Sequence, residues 1–266
     1  MKRRDISTTY RVFVFGKLLE TVYLLYISTC KTIKEVKAMI EDFSLNDMTK
    51  HIVDLQLVKE KLNPSLLSDV LDGMGIRNQC MNEGIRPVYQ GAKVVGWAHT
   101  MLMVDIHEPE QDTFKLQLEG IDALKKDDLM VVASNGSKSA ALWGELLSTS
   151  ARCRGASGAV IDGLARDIKQ IEDMKFPVFA AGVRPISSKG RVVAIGYGCR
   201  IRCGGVNVEE GDLVVGDVDG ITVVPDTAIE EAVERALERV NSEKKTRKEL
   251  LAGSTLSSVY AKYGTI

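Results

Sequence analysis

Between Gly144 and Asp167 the chain gathers residues that could handle a small anion. Gly144 and Glu145 stand at a predicted helix start, and Leu146, Leu147 and Ala151 follow on one side at helical spacing. The first N–H groups of a helix have no partner inside it, so this end is a ready anion cradle. Gly155 and Gly158 break the pattern, Ala159 to Ile161 reads as a short strand, and Gly163 is predicted to end it. The following loop then sets a fixed positive charge, Arg166, beside the carboxylate of Asp167. Cradle, guanidinium and carboxylate on loops at strand ends suit a small anionic substrate plus a metal ion. Taken alone, Arg166-Asp167 would be an ordinary surface ion pair. Glu145 alone would be an acid stabilised by the helix dipole.

Other candidates carry less. His51, His99 and His107 show no ligand spacing, and His99, inside an apolar run, reads as a core or pocket-wall residue. Cys30, Cys80, Cys153, Cys199 and Cys203 form no framework, which is the pattern of reduced thiols in a cytoplasmic protein. Cys199 and Cys203 lack the second pair that a zinc site needs. Ser148-Thr149-Ser150 has no histidine nearby in sequence and no nucleophile elbow, leaving helix surface or substrate contact. Ser68 and Asp69 could face a cleft or solvate a helix. The acidic turn Asp217 to Gly220 lacks the spacing of a calcium loop. No glycine-rich nucleotide loop with a following ribose acid supports a methyl-donor site.

The elements that must position these residues come from an ordinary globular composition, 45% hydrophobic and 27% charged. A net charge of −1 and 6% aromatic content argue against a nucleic-acid binder. Residues 1–44 form a separate N-terminal extension, either an added element or the result of a start codon placed too far upstream. Lys17 and Glu20 interrupt its apolar run, so a membrane anchor is not expected. Residues 45–266 should form one domain. Helices are predicted within Leu45–Leu62, from Pro64 to Leu71, from Thr113 to Leu118, from Ile168 to Met174, and from Pro225 to Leu251 with Asp226 as cap. Strands are predicted at Val94–Val104, Asp128–Ala133, Pro177–Ala181, Arg191–Ile195, Ile201–Cys203, Leu213–Val215 and Ile221–Val224. Asn241 to Glu249 holds no apolar residue, so that half-helix should project into solvent or over a neighbouring subunit.

The chain resembles the RraA-like family, which includes class II 4-hydroxy-4-methyl-2-oxoglutarate aldolases and inactive relatives that regulate a ribonuclease. The family aldolase pattern is an acidic residue, a twenty-residue gap, Arg-Asp, and another acidic residue three places after that Asp. Here Glu145 precedes Arg166-Asp167 by that gap, and Gln170 holds the last position. Ser68 to Asp72, Gly91 to Thr100, Pro185 to Arg191 and Gly211 to Pro225 are also family-like.

The resemblance implies an α/β/β layered fold of the swivelling type, assembled as a homotrimer or a hexameric dimer of trimers. It implies a metal-dependent lyase acting on a 2-oxo acid, with oxaloacetate decarboxylase activity through the same pyruvate enolate. In that reading Asp167 binds Mg²⁺ (or Mn²⁺), Glu145 acts through water, and Arg166 binds the keto oxygen. Gly144 and the N–H groups of Leu146 and Leu147 receive the substrate carboxylate. Glu243 of an adjacent subunit supports the metal's waters. The alternative that the resemblance implies is a non-catalytic regulator that binds a ribonuclease.

Overall fold

The computed structural model describes residues 53–107 and 113–264, so the expectation for residues 1–44 lies outside the described residues. Two helices open the described chain, α1 (Leu55–Lys61) and α2 (Pro64–Gly73). Each has a side-chain cap: Asp54 accepts from the Gln56 and Leu57 N–H groups, and Asn63 accepts from that of Leu66. Pro64 sits at the first helical position, where its missing N–H costs nothing.

The body is a nine-stranded sheet. Its elements in chain order are β1 (Arg86–Pro87), β2 (Val94–Asp105), α3 (Lys115–Asp122), β3 (Asp128–Ala133), β4 (Ala141–Trp143), α4 (Glu145–Cys153) and β5 (Gly158–Ala165). There follow α5 (Ile168–Asp173), β6 (Val178–Val183), β7 (Val192–Tyr197), the hairpin β8 (Ile201–Cys203) and β9 (Val206–Val208), then β10 (Leu213–Asp217) and β11 (Gly220–Val224). Two helices close the chain, α6 (Ile229–Leu251) and α7 (Leu256–Tyr263). The strand order is β1-β6-β5-β3-β2-β10-β11, with β4 beside β5 and β7 beside β2. Strands β2, β3, β5 and β6 run parallel, the remaining main-sheet pairs except β4–β5 are antiparallel, and β8–β9 form a separate sheet.

Alternation along the strands builds two faces. On β3, Met130 and Val132 pack with Ile121, Ala151 and Ile171 of α3, α4 and α5. Leu129, Val131 and Ala133 pack with Ile201, Val206 and Val208 of the small hairpin. Helix, sheet and sheet therefore stack as the α/β/β layers that the resemblance implied. A third cluster joins α1, α2 and α6 to β2 and β10 through Val58, Leu67, Leu71, Trp97, Leu213 and Ala232.

Several expectations are corrected. Gly163 does not end its strand: β5 continues to Ala165, with a register shift against β6 between Ile161 and Leu164. A Cβ on Gly163 would lie 2.8 Å from both Leu142 and Ser134 side-chain atoms, so glycine is there for close packing. Asp226 caps nothing: it begins a short 3-10 turn before α6, and Asp212 accepts its N–H. The polar half of α6 is not bare, because α7 folds back on it with Val259 buried and Tyr263 donating to Glu249 at 2.6 Å.

Candidate active site

Strand β4, helix α4 and strand β5 form one continuous unit, and β4 and β5 pair side by side in parallel. This pairing brings Gly144, at the end of β4, next to Arg166, at the end of β5. The Arg166 N–H donates to the Trp143 carbonyl at 2.9 Å. Asp167 follows in the left-handed region, φ 59° and ψ 40°, a conformation that Asp tolerates better than most residues. That turn swings its carboxylate back to the start of α4. Oδ2 accepts the Glu145 N–H at 3.3 Å and lies 3.5 Å from Arg166 Nε.

Gly144 makes this approach possible. A Cβ there would sit 2.7 Å from Asp167 Oδ2 and 3.1 Å from Arg166 Cγ. The same glycine leaves α4 with no capping side chain. Among the described residues nothing accepts from the Leu146 or Leu147 N–H groups. They remain available to an anion. The Glu145 carboxylate accepts from the Thr149 hydroxyl at 3.1 Å, one turn on.

All six residues expected at the site within one chain, Gly144, Glu145, Leu146, Leu147, Arg166 and Asp167, line a single cavity of about 490 Å³. Leu146 is 75% exposed at the cavity while Ala151 is fully buried, so the two do not share one face as the helical spacing suggested. Ser148 is fully buried, which removes it as a surface or substrate contact. Glu243 is elsewhere in the chain: it pairs with Arg239 on α6, which also holds Asp69 at 2.7 Å. Its expected role lies across a subunit boundary.

Sequence reading missed Phe114 at the cap of α3, Gln117 and Leu118 within it, Trp143, and the pair Ser187 and Ser188. The serines fall in the stretch Pro185 to Arg191 already noted as family-like, whereas nothing in the sequence tied α3 to this cavity. Gln170 also lines it, in the place where the family pattern has an acid. Ser68 and Asp69 do face a cleft, a separate one of about 240 Å³ shared with Cys80 and Thr222.

Among the described residues no three His, Cys, Asp or Glu side chains cluster to cage a metal. The cavity instead offers hard oxygen donors, few in number. Asp167 Oδ1 enters no hydrogen bond among the described residues, while Oδ2 is tied to the backbone. That donor set fits Mg²⁺, which keeps most of its waters and takes one or two carboxylates. It does not fit zinc.

The sequence pattern of the RraA-like family, described as Aldolase/RraA, matches residues 65–223. The chain belongs to the RraA-like family. It is 29% identical over 201 residues to Protein DlpA of Legionella pneumophila, covering 76% of this chain but only 32% of that protein. It is 31% identical over 170 residues to a Halalkalibacterium halodurans protein named "Putative 4-hydroxy-4-methyl-2-oxoglutarate aldolase", covering 64% of this chain and 76% of that one. Among solved structures, an uncharacterised Pseudomonas syringae protein superposes with a TM-score of 0.70 at 29% identity, covering 79% of this chain and 93% of that one. RraAS2 of Streptomyces coelicolor, titled an unusual member of the RNase ES inhibitor RraA family, gives 0.65 at 26% identity, covering 73% and 94%. No helix among the described residues is long and apolar enough to cross a membrane.

Proposed function

We propose that this RraA-like chain is a divalent-metal-dependent carbon–carbon lyase acting on 2-oxo acids. 4-Hydroxy-4-methyl-2-oxoglutarate is the first candidate substrate, and oxaloacetate decarboxylation is the second activity. The observation that carries the reading is the convergence of Arg166, Asp167 and the uncapped start of α4 on one cavity. The aldolase names among its relatives support it.

Both reactions leave a pyruvate enolate, and the protein must bind it and offset its charge. Asp167 would hold the ion, with Glu145 acting through water and Glu243 of a neighbouring subunit in support. A bound Mg²⁺ or Mn²⁺ supplies Lewis-acid stabilisation of the enolate. The Leu146 and Leu147 N–H groups bind the substrate carboxylate. Arg166 donates to the keto oxygen, where negative charge develops. In the aldol cleavage the C4 hydroxyl gives its proton to a water held by Glu145, the C3–C4 bond breaks, C4 becomes the keto carbon of one pyruvate, and C3 is left as the enolate carbon of the other. Glu145, held by Thr149, relays a proton through water to C3 of the enolate. A homotrimer or a dimer of trimers completes the proposed enzyme.

A second reading is a protein-binding regulator without turnover, and the neutral Gln170 in the cavity is what favours it. Pyruvate release from oxaloacetate decides between them, measured with Mg²⁺, with excess EDTA, and against a no-enzyme control. Turnover above the control that EDTA abolishes is the expected result. Folded protein that gives none with Mg²⁺ or Mn²⁺ would sink the enzyme reading, and a stoichiometric complex with a ribonuclease would replace it.

A further inference from the structure

The start of α4 has an unusual problem. A helix is ordinarily held at its first turn by a Ser, Thr, Asp or Asn side chain at the cap. Here the cap is Gly144, because any Cβ would strike Asp167. The N–H groups that a cap would occupy are those the substrate carboxylate needs. Something else must fix the direction in which they point.

Trp143 and Ser148 do this from below. The Trp143 indole N–H donates to the Ser148 hydroxyl at 2.8 Å. That hydroxyl donates to the Gly144 carbonyl at 3.0 Å, which also accepts the Ser148 N–H at 3.1 Å. Trp143 and Ser148 stand just before the cap and one turn inside the helix, the two positions that an apolar staple joins in other helices. Both are essentially without solvent exposure, so the bonds face no competition from water. Gln117 donates to the Leu142 carbonyl at 3.1 Å and steadies the strand leading in.

We infer that Trp143 and Ser148 are positioning residues that aim the Leu146 and Leu147 N–H groups at the substrate carboxylate, in place of a helix cap. The inference rests on the lyase reading of this cavity. Ser148 is buried outside the cavity lining, Trp143 borders the cavity from the end of β4, and neither belongs to the acidic or Arg-Asp elements of the family pattern.

The test measures oxamate, a pyruvate isostere, binding to Mg²⁺-loaded protein by calorimetry, beside oxaloacetate kinetics. Wild type is compared with Trp143→Phe, Ser148→Ala and the double variant. Each single change should raise the oxamate Kd and the oxaloacetate KM about tenfold, while kcat changes little. Binding of Mg²⁺ alone should be unchanged. The double variant should lose less than the sum of the two, since both act through one chain of bonds. If Trp143→Phe does not fold, Ser148→Ala decides alone. A lower melting temperature with unchanged Kd and KM, or a fall in kcat alone, would overturn the positioning role and leave the lyase reading standing. Wild-type protein that neither binds oxamate nor turns over oxaloacetate would overturn both.

Discussion

Asp167 reaches back across the β5–α5 turn to take the backbone N–H of Glu145, 3.3 Å from its Oδ2. The carboxylate expected to hold a metal is thereby tied to the helix start expected to hold the substrate. Asp167→Asn preserves the side-chain shape and the tolerance for left-handed backbone, but removes the charge. Oxaloacetate turnover should fall by about 10²–10³-fold, with a melting temperature close to wild type. Activity within a few-fold of wild type would remove Asp167 from the mechanism.

Gly144→Ala tests the close approach on the other side of that contact. The added methyl would lie 2.7 Å from Asp167 Oδ2 and 3.1 Å from Arg166 Cγ, so the pair must move. Such overpacking costs about 1–3 kcal/mol. Denaturant unfolding should show that loss, and activity should fall more steeply than stability. An unperturbed variant would mean that the pair has room to spare.

Gln170→Glu restores the acid of the family pattern inside the cavity. A second carboxylate beside Asp167 should tighten Mg²⁺ binding by about tenfold or more. Calorimetric titration of the two proteins with MgCl₂ checks this directly. Equal affinities would show that position 170 does not reach the ion or its waters.

His99 supplies a pH dependence unrelated to catalysis. Its Nδ1 lies 2.7 Å from Glu210 Oε1 and its Nε2 lies 3.0 Å from the Gly120 carbonyl, so both nitrogens face acceptors. Burial opposes the charged ring, but the Glu210 hydrogen bond, the Glu210 and Asp128 charges and the Gly120 carbonyl outweigh it and raise the pKa above the usual value. A raised folded pKa stabilises fully below the unfolded value, about 6.5. That contribution is lost as pH rises through the folded value. Melting temperature should therefore drop over that window in wild type and less in His99→Gln. Parallel profiles would contradict a pKa raised by the Glu210 pairing.

Long amphipathic segments were legible in the sequence. The pattern of α6, the apolar run of β3 and the Asn63-Pro64 start of α2 each have one physical reading, and each formed. That Gly144 to Leu147 and Arg166-Asp167 would come together was legible through the glycine-flanked stretch and the family spacing, and they do line one cavity. Gly163 misled because a glycine that ends a strand and one that admits a neighbour look alike in sequence. β4 and β9 have three residues each, too few for a period to show. The α3 wall was hidden because it reaches the cavity by tertiary packing beside α4 on the same face of the sheet.

The unit Ala141 to Asp167 carries the charged half of the cavity on two adjacent parallel strands, the helix between them and the turn that follows. The other half is contributed by α3 and the serines before β7. Charge geometry and cavity shape are thus separate inheritances. Leu118 is half exposed where α3 lines the cavity, on a different element from Arg166 and Asp167, so an exchange there for a bulkier or polar residue is expected to leave that pair in place. In the proposed lyase, rewriting one helix face would turn the cavity toward a new acid with the Arg166–Asp167 pair left in place.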